Sequence, residues 1–260
     1  MRLRATLRAG LLTLALASAP AHADPPGAAA NLFADGRYIA AAELAQRQTN
    51  SAEALAFSAR ALIAACITHS GCDDLAATLE RAERGARQAL LLDPRSVDAR
   101  LQLAAISGIR GRRAPLTQAF ASGYAPRGKR LIDEALRMAP DNSEALALLG
   151  VWHLEVLRRG GGLGAMIYGA NLSQGLVAFD RARLLAPDNP TIALHYAIAL
   201  LLLDAPRYRA RAAQMLAAIQ TMRPGDALGR HSRELARRIE QSLETQGPRA
   251  AASMAGEAMP

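Results

Sequence analysis

Lysine, aromatic residues and cysteine are all scarce in this 260-residue chain, and each scarcity excludes something. Lys129 is the only lysine, so the basic balance is almost wholly arginine, and the formal net charge of +8 is spread along the chain. That distribution, with heavy use of alanine, gives no nucleic-acid footprint, and no nucleic-acid partner is expected. Aromatics make up 4% of the residues and β-branched residues never alternate over a sustained stretch, so no sheet is expected. Long hydrophobic runs are missing as well. The most apolar stretch, Ile192 to Leu203, is interrupted by His195 and has the length of a buried helix, so the mature chain should have no integral membrane segment. No catalytic constellation emerges from the five scattered histidines, which predicts a protein that is not an enzyme, without cofactor or metal.

What is present is a phrase that returns. "ALLLDPRSVDARLQLA" around Pro94, "ALRMAPDNSEALALLG" around Pro140, "ARLLAPDNPTIALHYA" around Pro187 and a degraded "IQTMRPGDALGR" around Pro224 each run an apolar helix end into a proline, a short turn and a new amphipathic helix. Proline lacks the N–H of the i→i−4 bond and disfavours helix in the residue before it, so each copy stops one helix and launches the next. Repetition on this scale predicts an all-α solenoid in which each unit buries its apolar face against its neighbours.

These residues resemble the tetratricopeptide repeat. Ala145, Leu149 and Gly150 fall where that repeat has its small residue and Leu-Gly pair on helix A, and Phe179 and Ala182 fall at matching positions of helix B, as do Ala82, Ala86 and Ala89 before Pro94. "LFADGRYIAAAELAQ" (Leu32 to Gln46) looks like a further hairpin. The resemblance covers most of residues 30–245. It implies a right-handed solenoid of antiparallel helix pairs, an elongated domain whose helix A lines a concave groove.

Proline spacings of 46, 47 and 37 depart from the standard repeat of about 34 residues. Two consecutive repeats therefore carry insertions between helix A and helix B, at 111–126 and 159–173, which should lie side by side at one edge. Arg112, Arg113 and Tyr124 in the first, with Arg158, Arg159 and Tyr168 around the second, are candidate docking-loop residues; the alternative is a tandem duplication whose insertions merely pack on each other. The run Gly160 to Gly164 has neither the preceding strand nor the following Lys-Ser or Lys-Thr of a phosphate loop. Its glycines are expected to end helix A in left-handed conformations.

Compartment is read from the ends of the chain and the cysteines. Arg2, Arg4 and Arg8, the apolar run Ala9 to Ala19, and small residues Ala21 and Ala23 make residues 1–23 a secretory signal peptide cut before Asp24, with no cysteine for lipid attachment. The three arginines leave with it, so the formal +8 becomes +5. A periplasmic or secreted protein is expected. Cys66 and Cys72 should pair in that oxidising space, the rival reading being a metal site with His69 and Asp73. The repeat domain is placed at 24–246 and a disordered tail at 247–260.

With the inner positions of helix A mapped from the resemblance, Leu101, Ala147, Val151, Leu194, His195 and Ile198 are the candidate groove residues. The basic and asparagine residues that clamp carboxylates in some family members are missing there. The helix after Pro187 is apolar nearly all round, so something must cover its inner face. The expected function is a periplasmic scaffold or adaptor binding another exported or envelope protein. The alternative is a ligand-binding accessory component, similar to the tetratricopeptide-repeat subunits of some solute transporters, with a hydrophobic small ligand.

Overall fold

A computed structural model describes residues 27–260, and the proposed signal peptide lies outside them. Among the described residues there are twelve helices and no strand: α1 (Gly27–Ala34), α2 (Tyr38–Gln46), α3 (Ala52–Ile67), α4 (Leu75–Leu92), α5 (Val97–Arg113), α6 (Leu116–Ala121), α7 (Tyr124–Met138), α8 (Ser143–Tyr168), α9 (Leu172–Leu185), α10 (Pro190–Thr221), α11 (Ala227–Thr245) and α12 (Pro248–Glu257). No described helix is long and apolar enough to cross a membrane.

The helix starts follow from the sequence. Ser51, Asp74, Ser96, Asn142, Asn171, Asn189 and Asp226 each sit at an N-cap and accept a hydrogen bond from a backbone N–H in the first turn, satisfying a donor the helix cannot. Pro94, Pro140 and Pro187 lie in the turns just after α4, α7 and α9. Consecutive helices pack as pairs, α1 on α2, α3 on α4, α5 on α7 and α8 on α9. The first pair joins the next through α2 on α3, and from there the first helix of each pair packs on the next, α3 on α5, α5 on α8 and α8 on α10.

Small residues set the spacing of the pairs. Ala82, Ala86, Ala89, Ala135, Ala145 and Ala182 are fully buried where helices cross, so the axes approach closely. Gly150 goes further: a Cβ there would overlap the Phe179 ring, 2.7 Å from its Cγ. Phe179 in turn stacks on Tyr196 with ring centroids 4.3 Å apart, linking three successive helices α8, α9 and α10.

Two long helices are folded in the middle. Asp204 has φ −161° and ψ 87° and precedes Pro206 by two, breaking α10, and its carboxylate accepts from the N–H of Arg207 to cap the second half. The Arg211 guanidinium then lies 5.1 Å from the Tyr196 ring centre, although fifteen residues of straight helix would separate them by about 22 Å. The chain therefore doubles back. In α8 the break is Gly161, at φ 56° and ψ −150°, and a Cβ on Gly164 would touch the Val156 carbonyl oxygen. The glycine run accordingly provides one left-handed break rather than a left-handed stop at each glycine, and helix resumes to Gly169 (φ 70°).

Two expectations are corrected. The segment after Gly247 is no disordered tail: Pro248 opens α12, and Ala251 and Ala255 are fully buried against α10 and α11. Small side chains, unpromising as a hydrophobic period, are what lets this helix lie close; a Cβ on Gly256 would stand 3.4 Å from the Leu202 side chain. Nor is the domain open and elongated. The Arg230 guanidinium of α11 donates to the Ala34 carbonyl at 3.0 Å, and a Cβ on Gly36 would stand 3.0 Å from that of Ala227. The first and last hairpins meet, and the stack closes round an interior.

Candidate functional site

The interior is divided into two adjoining chambers. The first, about 460 Å³, is walled by Ile63 and Ile67 of α3, Ala104 and Gly108 of α5, Trp152 and Val156 of α8, and Ile198 and Leu202 of α10. Its roof is built by the two insertions: α6 contributes Leu116 and Phe120, and the second half of α8 contributes Leu163 and Ile167. The second chamber, about 520 Å³, is more polar and is lined among others by Arg60, Gln102, Glu144, Thr191 and Asp226. Ile63, Ile67, Ala105, Leu148, Val151 and His195 border both.

The insertions lie side by side, as their spacing in the repeats implies. The Phe120 and Tyr168 rings are 6.1 Å apart, and the Arg159 guanidinium donates to the carbonyl oxygens of Gly111 and Ala114 at the end of α5. Trp152 anchors the start of α7 by donating from its indole N–H to the Ala125 carbonyl at 2.8 Å. The rim they form is apolar and open: Leu116, Phe120, Leu163, Met166 and Ile167 are all at least half exposed. Four of them, Leu116, Phe120, Leu163 and Ile167, line the first chamber, so they form an exposed apolar patch rather than scattered surface leucines.

Charge in the first chamber is concentrated at one end of α5. Arg112, Glu155 and Arg159 all line the wall. Glu155 is taken by Arg158, whose Nη2 and Nε lie 2.6 and 2.9 Å from its oxygens. Arg112 Nε stands 3.7 Å from Glu155, beyond hydrogen-bond distance, and is buried with no partner among the described residues. Burial opposes ionisation of Glu155, but the Arg158 hydrogen bonds and the Arg112, Arg158 and Arg159 charges outweigh it and hold the carboxyl below its usual range. Burial also lowers the Arg112 guanidinium from its ordinary value; Glu155 opposes the shift, and the Arg158 and Arg159 cations add to it. The cluster carries more positive than negative charge in an apolar wall.

His195 sits at the partition between the chambers. Its ring retains surface toward the cavities yet lies deep among protein atoms, far from bulk water, and burial, with the Arg112 charge beside it, pushes its pKa down to about 4. It is neutral at pH 7 and makes no hydrogen bond to the described residues, so it offers a polar edge to a chamber occupant. In the second chamber Arg60 Nη2 and Glu144 Oε2 pair at 2.5 Å across 84 residues. Arg60 keeps 34% of its side-chain surface accessible while deeply embedded, because that surface faces the chamber rather than the outside.

Most of the sequence-derived candidates converge here. Val151, His195 and Ile198 line the first chamber, and Leu101, Ala147, Val151 and His195 the second. Leu194 is corrected: it is 3% exposed within the packed core between α8 and α10, one helical position away from the open side that His195 faces. Of the docking-loop candidates, Arg112, Tyr124, Arg159 and Tyr168 line the first chamber, whereas Arg113 and Arg158 do not. Cys66 and Cys72 form a disulfide, which excludes the metal reading for that pair. Sequence reasoning missed Gly108 and the Arg60–Glu144 pair. An arginine inside the otherwise apolar run "AFSARALIAAC" was the available signal, since a buried cation demands a partner. No protein-family model and no curated protein matches this chain.

Proposed function

We propose that this chain is an exported helical-repeat protein of tetratricopeptide type that binds a small apolar ligand in the first chamber. The observation that carries this reading is the recessed cavity of about 460 Å³ that His195, Ile198, Ala199 and Leu202 of α10 border together with the two insertions. That volume falls in the range of sites for single small molecules, about 300–1,000 Å³. The repeat type is supported by the proline-terminated helix pairs packed in chain order and by the Gly150–Phe179 approach at the motif positions. Export is supported by the Cys66–Cys72 disulfide, a bond rare in reducing compartments, and by the composition of residues 1–23.

Gly108 supplies the test. It sits on α5 at the chamber wall, and a Cβ there meets nothing within 4 Å, so the side chain of Gly108→Trp starts in open space and is expected to occupy the chamber. The expected result is a folded variant, with part of the glycine's helix penalty of about 1 kcal/mol relieved, that no longer carries the hydrophobic molecule expected on native mass spectrometry of the gently purified wild type. A wild-type protein with an empty chamber that also fails to take up hydrophobic dyes or alkyl probes would overturn the reading.

The adaptor reading has one specific observation in its favour, the exposed apolar rim of the two insertions. A partner protein docking there would be lost on Phe120→Asp together with Ile167→Asp while the chamber remained filled, and a cross-linking pull-down with that variant separates the two readings.

A further inference from the structure

The first chamber is apolar along most of its length and basic at one place. Arg112 presents a guanidinium to the wall with a buried Nε that no described residue satisfies, and its nearest anion, Glu155, is already held by Arg158. Arg159 brings a second positive charge to the same wall and spends its hydrogen bonds on backbone carbonyls, which neutralise nothing. Three cations, Arg112, Arg158 and Arg159, share the single Glu155 carboxylate beside an apolar wall, and an occupant with a negative end offsets that excess where a neutral or cationic one does not. Ile63, Ile67, Ile198 and Leu202 of the same chamber offer only hydrocarbon. The mouth between Phe120 and Leu163 is apolar and exposed, a route by which a hydrocarbon chain enters.

We propose that the chamber takes an amphiphile with one hydrocarbon chain and an anionic head group, the chain lying along α3 and α10 and the head against Arg112. This rests on the ligand-binding reading above and specifies the class of ligand. A chamber of about 460 Å³ suits one chain rather than a two-chain lipid. Arg112 and Arg159 act through the positive charge they bring to the wall; Glu155, which competes with the head for Arg112, weakens the site.

The test is calorimetric titration of the full mature chain at pH 7.5 with three probes of equal chain length, dodecanoate, dodecanol and dodecylamine, below their aggregation thresholds. Dodecanoate is expected to bind at least tenfold more tightly than dodecanol, and dodecylamine more weakly than either. Arg112→Gln should weaken dodecanoate at least tenfold and leave dodecanol unchanged, which also reports that the variant is folded. Glu155→Gln should tighten dodecanoate, the direction that mere damage to the wall does not produce. Should Arg112→Gln fail to fold, Glu155→Gln and the order of the three probes decide. Equal binding of dodecanoate and dodecanol, insensitive to both substitutions, overturns the head-group inference and leaves the apolar chamber standing. Binding of none of the probes overturns both.

Discussion

Arg230 and Ala34 are joined by a hydrogen bond of 3.0 Å although 196 residues separate them in the chain. The bond ties the start of α11 to the end of α1, beside the contact of Gly36 with Ala227, and it turns a row of helix pairs into a closed wall.

Gly36→Ala tests the seam. Gly36 adopts φ 85°, where an added Cβ is strained, and that Cβ would press on Ala227. A loss of about 1–2 kcal/mol in urea unfolding is expected. Ala227→Gly should recover only the steric part. A Gly36→Ala protein as stable as the wild type would show that the seam is open in solution.

At the Gly150–Phe179 contact, Gly150→Ala should cost about 1–3 kcal/mol, because the Phe179 ring is fixed between α8 and Tyr196 and has little room to yield. The double variant Gly150→Ala with Phe179→Leu should show a coupling of at least 0.5 kcal/mol by a double-mutant cycle. Strict additivity would mean that the two residues do not touch.

Acid should weaken the fold before its carboxylates titrate. His195 in the folded protein is pushed down to about 4 from an ordinary 6.5, so between those values the unfolded chain binds the proton that the folded one refuses. Stability is then full above pH 6.5 and falls as pH drops toward 4, by roughly 2 kcal/mol after allowance for the ring's access to the chamber. Burial, aided by Lys129, lowers His153 as well, and its Nδ1 accepts the Asn171 N–H at 3.1 Å, so its loss has the same sign. Chemical denaturation at pH 7.5 and 4.5 should show the slope, and His195→Asn should flatten it.

Ending the chain after Gln246 should lower stability by about 2–4 kcal/mol, since it removes α12 and uncovers apolar surface on α10 and α11. It should also unseal the first chamber, which Met259 and Pro260 help to line, and speed the release of a bound probe. A truncated protein with the wild-type melting temperature would remove α12 from the core.

Local features were legible because they depend on near neighbours in the chain. The prolines at 94, 140 and 187, and the caps Ser96, Asn142 and Asn189, fix where helices stop and start through backbone hydrogen bonds within a few residues. The six-residue spacing of Cys66 and Cys72 brought them within bonding range, and the equal offsets of the two insertions placed them together. Leu194 was misplaced because neighbouring positions on a helix that is apolar nearly all round look alike until the packing partner is known. Helix α12 was missed for the same reason: alanines gain their stabilisation from a partner surface and carry no signal of it.

The sequence by itself determined the proline-terminated helix pairs, their order and their turns, since those follow from propensity and proline chemistry along a few residues. Only the tertiary structure decided that the ends meet, that Arg60 pairs with Glu144 across 84 residues, and that Arg112 shares the Glu155 carboxylate with Arg158 at a cavity wall. Those outcomes depend on the small angle each helix pair adds to the next, summed over the whole stack, a quantity that no local pattern of residues encodes.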